Sequence, residues 1–275
     1  MMTTSNFPNV SLIISTYNWP KALEKCLKSI LTQTYLPTEI IIADDGSSIE
    51  TEKLIEHFTQ NCAVRLKHIW HDDKGFRLAA IRNKAIFSAS GDYIIQIDGD
   101  IIMERHFIED HLRFQQEGAF LCGSRVWIPK EYSDQLLNSK DLSALNVLQF
   151  PISSILNGLR IPMLGRFITS SYKKNKPLAL RGCNMSFWKK DLMEINGYNE
   201  DIQGWGSEDA DLAIRLMNSG IRKLFIKFAG IAYHIYHKEN SRASLKENEK
   251  ILSDSISLKK TRIINGIIKD KSDKT

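Results

Sequence analysis

What this chain has little of narrows it first. Only four of its 275 residues are cysteine (Cys26, Cys62, Cys122 and Cys183), and they lie scattered without a CxxC pair. That excludes a disulfide scaffold and a thiolate metal site, and reads as reduced core thiols in a cytosolic protein. No apolar run approaches the roughly 18 residues that span a bilayer. The amino terminus, MMTTSNFPNVSLIIST, lacks a basic leader, and its apolar run is too short for a signal peptide. Neither a GxGxxG after the first strand-like run nor a GxxxxGKS/T occurs, so a Rossmann dinucleotide site and a P-loop are not offered. Acidic residues are missing altogether from Leu142 to Lys190, while Arg160, Arg166, Lys173, Lys174, Lys176, Arg181, Lys189 and Lys190 fall inside that stretch. An anionic partner (a phospholipid surface, or an acceptor carrying phosphate or carboxylate) and a solvated basic loop explain this equally well.

The rest is ordinary for a globular chain: 43% hydrophobic, 25% charged and a net charge of +5. Its length suits one large α/β domain or two small ones. The first hundred residues alternate strand and helix. VSLIIST, EIIIA, VRLKHIW and YIIQI read as strands, with helices from about Lys21 behind Pro20, around Leu54 to Phe58, and from Leu78 to Ala89. This alternation predicts a parallel sheet with helices on both faces. Each strand is followed by polar residues: Ser15 to Asn18, Asp44 to Ser47, His71 to Gly75, and Asp98 to Asp100. In an open parallel sheet these four segments share the carboxyl edge, where ligands bind.

Asp98-Gly99-Asp100 puts two like charges two residues apart at the end of a buried strand. Asp-Gly also suits a tight turn; a divalent cation on oxygen ligands is the sharper reading. A second acidic cluster, Glu208, Asp209 and Asp211, opens a helix that Ser207 is expected to cap. Before it, Gly204-Trp205-Gly206 offers a flexible loop with a flat surface for a sugar ring, above a carboxylate placed as a general base. His234 and His237 lie at i, i+3, so on a strand only one is expected to reach a metal. The apolar spacing of PISSILNGLRIPMLGRF is expected to pack on the core, with a membrane surface or acceptor groove as the alternative. Residues 241–275 read as an amphipathic basic helix with Leu245, Leu252, Ile256, Ile263 and Ile267 on one stripe.

VSLIISTYN, LKSILTQTY, EIIIADDGS, FRLAAIRNKAI, GDYIIQIDGD, RGCNMSFWKKDL and GWGSEDADLAIRL stand in the order found in family 2 glycosyltransferases of the GT-A fold, which the chain resembles from Val10 to Asn240. The WGSEDAD half is similar to the galactosyltransferase and chondroitin-polymerase branch. The resemblance implies an α/β GT-A fold: a mostly parallel nucleotide-binding sheet flanked by helices, a smaller acceptor-side subregion and a C-terminal helical tail. It divides the chain into a single domain, 8–240 (a nucleotide-sugar half 8–125, a variable basic segment 126–180 and an acceptor half 181–240), and a tail, 241–275. Asp100 would bind Mn2+ or Mg2+, with Asp98 at the ribose or the metal shell. His234 matches the third metal ligand best, with His237 in reserve. Ser15, Tyr17 and Asp45 would hold uracil and ribose. Arg77, Arg82 and Asn83 would face the nucleotide, Arg82 offsetting diphosphate charge. Asp209 matches the base, Glu208 an acceptor-orienting group, and Trp205 with Gly206 the acceptor platform. Ala210 stands where the branch often has a third consecutive acid.

The implied activity is inverting transfer from a UDP-linked sugar to a hydroxyl of a glycan or glycolipid, in bacterial surface polysaccharide or lipopolysaccharide synthesis. The expected setting is cytoplasmic, with peripheral contact at an anionic inner membrane and no nucleic-acid partner. A metal-dependent nucleotidyltransferase and a silent nucleotide-binding scaffold attached to a membrane are the rivals; the first has no use for Trp205 and the distal acids, and retention of Asp98, Asp100 and Asp209 together argues against the second.

Overall fold

The strands form where apolar, β-branched runs are long enough to be buried on both faces. The computed structural model describes residues 7–269 apart from 144, 239 and 240. Its elements in order are β1 Val10–Thr16, α1 Pro20–Ile30, β2 Glu39–Asp44, α2 Ile49–Asn61, β3 Arg65–Trp70, α3 Leu78–Ser88, β4 Tyr93–Asp98, β5 Ile101–Met103 and α4 Phe107–Phe114. There follow β6 Ala119–Gly123, β7 Arg125–Trp127, α5 Lys130–Asn138, α6 Ile152–Asn157, α7 Pro162–Ile168, β8 Asn184–Trp188, α8 Lys189–Glu194, α9 Glu208–Asn218, β9 Arg222–Ile226, β10 Ala232–His234 and α10 Leu245–Ser257.

The main sheet has seven strands in the order β3-β2-β1-β4-β8-β6-β9. β3, β2, β1 and β4 run parallel, as expected, while β8 is antiparallel to both its neighbours. Pleating sends alternate residues to opposite layers. Ile13, Ile41 and Ile94 join Ile81 and Ala85 of α3 on one face; Leu12, Ile14, Ile40 and Ile42 join Leu23, Leu27 and Ile55 of α1 and α2 on the other. The register pairs Ser15 with Asp98 and Thr16 with Asp44, so the polar ends of β1, β2 and β4 finish level.

Gly99 does not close a hairpin. β5 leaves the main sheet for a second one, ordered β5-β10-β7. The crossing is tight: Gly99 N–H donates to the Ser15 carbonyl at 2.7 Å, and a Cβ at Gly99 would stand 3.1 Å from that oxygen.

Three expectations change. The tail is not one helix: α10 stops at Ser257, because its anchoring is polar and local. Asn248 and Ser255 are buried against α9 and its approach, while Ile263 and Ile267 pack from an irregular segment. The expected boundary at 240 and residues 270–275 lie outside the described residues. Apart from Ile155, which packs against the cluster of Val126, Phe150 and Tyr233, PISSILNGLRIPMLGRF turns most of its large side chains outward. It makes α6 and α7, whose close inward contact is Gly165 against the Lys227 carbonyl and the Phe114 ring. Asp211 is structural: fully buried, it accepts from Arg215 Nε at 2.7 Å and Ser255 Oγ at 2.6 Å, tying α9 to α10. Among the described residues no helix is long and apolar enough to cross a membrane.

His111 on α4 is fully buried, with Nδ1 2.8 Å from Ser186 Oγ and Nε2 3.0 Å from Asn184 Oδ1. Burial pushes its pKa down from 6.5 to about 4. The unfolded chain therefore takes up a proton below pH 6.5 that the folded chain refuses until about pH 4, and stability is lost as the pH is lowered through that window. Urea denaturation at pH 7 and pH 5 is expected to show a loss of about 2 kcal/mol that His111→Gln removes. An unchanged pH dependence in the variant would refute it.

Candidate active site

At the carboxyl edge of the sheet the loops after β1, β2 and β3 are laced together. Tyr17 Oη donates to Asp73 Oδ2 at 2.8 Å, the Asn18 amide donates to Ser47 Oγ at 2.8 Å, and Asn18 Oδ1 accepts from the Ser48 amide at 2.8 Å. Asp45 is buried, with Oδ1 2.6 Å from His71 Nε2 and Oδ2 accepting from the Arg77 amide at 2.9 Å. Burial raises the pKa of Asp45, and these two partners oppose the rise.

Arg82, on α3, is 1% exposed and sits at the centre. Its Nε donates to Ser15 Oγ at 3.1 Å, Nη2 to Asp98 Oδ1 at 2.9 Å, and Nη1 to Asp209 Oδ1 at 2.9 Å. Burial alone would lower its pKa, but the surrounding negative charge, chiefly of Asp209, more than offsets that and keeps it cationic. Tyr198 lies beneath the guanidinium at 5.3 Å and places its Oη 2.9 Å from Asp209 Oδ1. Two donors thus hold one oxygen of Asp209, a preorganised arrangement for a base. Its other oxygen occupies the space a side chain at Gly182 would need, since a Cβ there would stand 1.6 Å from Asp209 Oδ2. Glu208 is buried, its Oε2 has no partner and its Oε1 is 3.9 Å from Arg82; burial, then the charge of Asp209, drives its pKa upward.

Asp100 turns the other way, toward the small sheet. β10 ends at His234, so the strand alternation does not extend to His237 and both rings converge: Asp100 Oδ1 is 3.6 Å from His234 Nε2, and Oδ2 is 3.3 Å from His237 Nε2. Each histidine has Nδ1 against a backbone carbonyl, of Ile235 at 2.9 Å and Lys238 at 2.7 Å, which places the ring proton there. The two Nε2 lone pairs then face a carboxylate. Burial drives the pKa of His234 down to about 3, and burial with the nearby Asp98 charge drives that of Asp100 well up. Buried Asp100 Oδ1 has no hydrogen-bond partner. Three ligand atoms within 4.8 Å of one another fit a divalent cation, which would take the place of the proton that the raised pKa favours on Asp100. Trp127 buttresses the pair, its ring 4.4 Å from that of His234.

On the acceptor side, Gly204 and Gly206 adopt φ of +72° and +106°, and Ser207 takes φ +74° without capping α9. The Trp205 loop is not free: Asn248 of α10 donates to the carbonyls of Gln203 and Gly206, and Arg242 lies over the Trp205 ring at 5.3 Å.

The structure therefore gathers Ser15, Tyr17, Asp45, Arg77, Arg82, Asp98, Asp100, Glu208, Asp209, His234 and His237 along the same edge. Asn83 departs from expectation: its amide faces inward to Tyr198 and Glu200 and fixes the loop before α9. Ser15 and Arg82 spend their polar atoms on each other and on the carboxylates. Sequence reasoning missed Tyr198, Gly182 and Trp127. The first two sit in or beside quoted motifs, but only three-dimensional contact reveals what they hold. A cavity of about 430 Å3 beside Ser90, Asp92, Trp188 and Lys189 lies at the amino end of β4, the opposite edge, and holds none of these groups.

Titration with Mn2+ followed by electron paramagnetic resonance is expected to show saturable binding by the wild-type chain. Asp100→Ala and His234→Ala should each weaken it at least about tenfold, the smaller loss seen even for outer-shell partners. Equal affinity in all three chains would rule out this triad.

The profile of glycosyl transferase family 2 matches residues 11–195, and that of the N-terminal domain of galactosyltransferase matches residues 164–238. The chain is 25% identical over 242 residues to chondroitin synthase of Pasteurella multocida strain Pm70, an alignment covering 82% of this chain and 24% of that protein. Against validoxylamine A glucosyltransferase of Streptomyces hygroscopicus subsp. limoneus it is 25% identical over 230 residues, 79% of this chain and 50% of the relative. It thus spans a quarter to a half of these relatives' lengths. Its fold resembles a mannosyltransferase from Pyrobaculum calidifontis in complex with GDP-Man and Mn2+ (TM-score 0.59, 17% identity, 86% of this chain and 59% of that one). It also resembles S. aureus TarS 1-349 in complex with UDP (TM-score 0.59, 16% identity, 89% and 64%). The structures share the GT-A architecture, and the chain belongs to glycosyl transferase family 2.

Proposed function

We propose that this chain is an inverting, metal-dependent glycosyltransferase that moves a sugar from a nucleotide-diphosphate donor, UDP-linked, to a hydroxyl of a glycan or glycolipid. The observation that carries the reading is the pair of carboxylate sites joined by Arg82: Asp98 and Asp100 on the donor edge, Asp209 on the acceptor side. The donor would lie across the laced loops, its base against Tyr17 and the remaining lone pairs of Asp45. Asp100, His234 and His237 would hold the cation; two imidazoles beside one carboxylate suit Mn2+ better than Mg2+. When bound, such an ion supplies charge neutralisation for the departing diphosphate.

The chain's own groups do the rest. Asp209, held through Oδ1 by Arg82 and Tyr198, takes the acceptor proton on Oδ2 as that hydroxyl attacks from the face opposite the leaving group. With its pKa raised, Glu208 offers an O–H that orients the acceptor, and Trp205 gives the sugar ring a flat wall. One positioned base suits a single displacement with inversion. Synthesis of surface polysaccharide or lipopolysaccharide, on the cytoplasmic face of a membrane, is the setting this acceptor class fits.

Calorimetry with UDP is expected to show Mn2+-dependent binding that Asp100→Ala abolishes and Asp209→Asn retains. Transfer by Asp209→Asn should fall about 10²–10⁴-fold. Wild-type transfer in that variant would remove Asp209 from its role. Gly182→Ala forces the Asp209 carboxylate aside, and a displacement of about 1 Å costs on the order of 10²-fold. Full activity in a Gly182→Ala chain that melts like wild type would show that the carboxylate position does not matter.

A further inference from the structure

Apart from Ile155, which packs on the core, α6 and α7 are built inside out. A helix on a core buries its large apolar residues and shows its small or polar ones. Here Gly165 is buried against the Lys227 carbonyl and the Phe114 ring, while Ile152, Met163 and Phe167 are 76%, 77% and 80% exposed. Leu156 and Leu164 are exposed as well. The hairpin is also pinned. Between the helices, Arg160 makes a two-pronged contact with fully buried Asp110, at 2.8 and 2.6 Å, and the Ile161 amide donates to the Phe228 carbonyl at 2.9 Å. Its apolar face is therefore held outward by the fold.

Charge selects what covers this face. Lys173, over the Phe225 ring at 3.9 Å, has its pKa lowered by burial and then by Arg181, Lys227, Lys223 and Lys176, all cations. Lys227 also bonds Asn157 at the end of α6, so this basic group adjoins the apolar face. The stretch from Leu142 to Lys190 itself contains no acid. A protein partner would need an apolar knob inside an acidic rim, whereas an anionic bilayer offers both chemistries over any area: headgroups for the cations and acyl chains for the side chains.

We propose that the α6–α7 hairpin is a membrane-docking surface, its outward apolar side chains entering the interface of an anionic bilayer while the adjoining lysines meet the headgroups. The basic group runs inward to Arg181, next to Gly182 and hence to Asp209, so docking brings the base to the level where a lipid-linked acceptor emerges. This deepens the membrane setting of the function proposed above and rests on that reading only for the acceptor. Vesicle binding is measured without donor or acceptor, so its failure leaves the transfer reading standing.

The test is co-sedimentation of the full chain with vesicles of phosphatidylcholine containing a quarter phosphatidylglycerol, and with phosphatidylcholine alone. Wild type is expected to bind the anionic vesicles and to bind the neutral ones at least about tenfold less. Met163→Asp combined with Phe167→Asp, both at exposed positions, should lower binding at least about tenfold without moving the melting curve. Lys174→Glu with Lys176→Glu should lower it about fivefold per cation lost. Lys53→Glu with Lys84→Glu, the same charge change on α2 and α3, should leave binding close to wild type. Phe167→Trp should shift its emission to the blue when vesicles are added. Absence of wild-type binding, wild-type binding by the aspartate variant, or no blue shift would each overturn the proposal. So would a dimer in analytical ultracentrifugation that Phe167→Asp dissolves, which would assign the face to a second copy.

Discussion

A single buried guanidinium organises this protein. Arg82 is supplied by α3 and reaches the ends of β1 and β4 and the start of α9 at once, through Ser15, Asp98 and Asp209. Two carboxylates and a cation, all largely withdrawn from water, are tolerable only as a set; removing one member of such a buried group costs on the order of 3–5 kcal/mol. The arrangement has a chemical consequence beyond stability. Asp98 belongs to the edge where a donor would lie and Asp209 to the side where an acceptor would approach. The same side chain fixes the position of both, so the spacing between the two half-sites is set by one planar group rather than by two independent loops.

The same logic resolves the crowding of Asp98 and Asp100. Two residues apart in sequence, they are separated by a change of sheet: Asp98 stays with β4 and finds Arg82, while Asp100 follows the chain into the three-stranded sheet and meets His234 and His237. Gly99 makes this possible by passing within hydrogen-bond reach of the Ser15 carbonyl, where a side chain would crowd Thr16. One aspartate is satisfied by protein and the other is left with lone pairs facing lone pairs. That asymmetry is what separates an ion pair from a ligand site.

The strands at the centre of the sheet were legible because burial on both faces writes an unbroken apolar run. Val10 to Thr16 and Tyr93 to Asp98 need no other signal, and the shared polar edge follows from their direction. Side-chain roles were less legible where they depend on partners distant in sequence. Arg82 and Asn83 are adjacent, yet one enters the site and the other braces Tyr198; helix phase separates them, and no composition reveals which faces where. The histidine pair departs from expectation because the strand ends at His234, three residues short of the His237 that an i, i+3 argument requires. The apolar spacing of residues 152–167 predicts helix, which forms, but apart from Ile155 the large side chains face away from the core they are expected to join. Periodicity reports that a stripe exists; Gly165, seated against a backbone carbonyl, marks which side is inward.

The three acids opening α9 show how far burial and partners, rather than residue type, assign function. Glu208, Asp209 and Asp211 are indistinguishable as helix-start carboxylates, yet each meets a different environment. Asp211 points to Arg215 and Ser255 and serves the joint between α9 and α10. Glu208 is buried with an unpartnered oxygen, and Asp209 is clasped by two donors. The joint made by Asp211 in turn matters to the site, because α10 carries Asn248, which holds the Gln203 and Gly206 carbonyls and so the loop bearing Trp205. An acid outside the proposed chemistry therefore sets where the Trp205 loop stands relative to Asp209. α10 acts as a strut for the loop that opens α9, not an appendage to it.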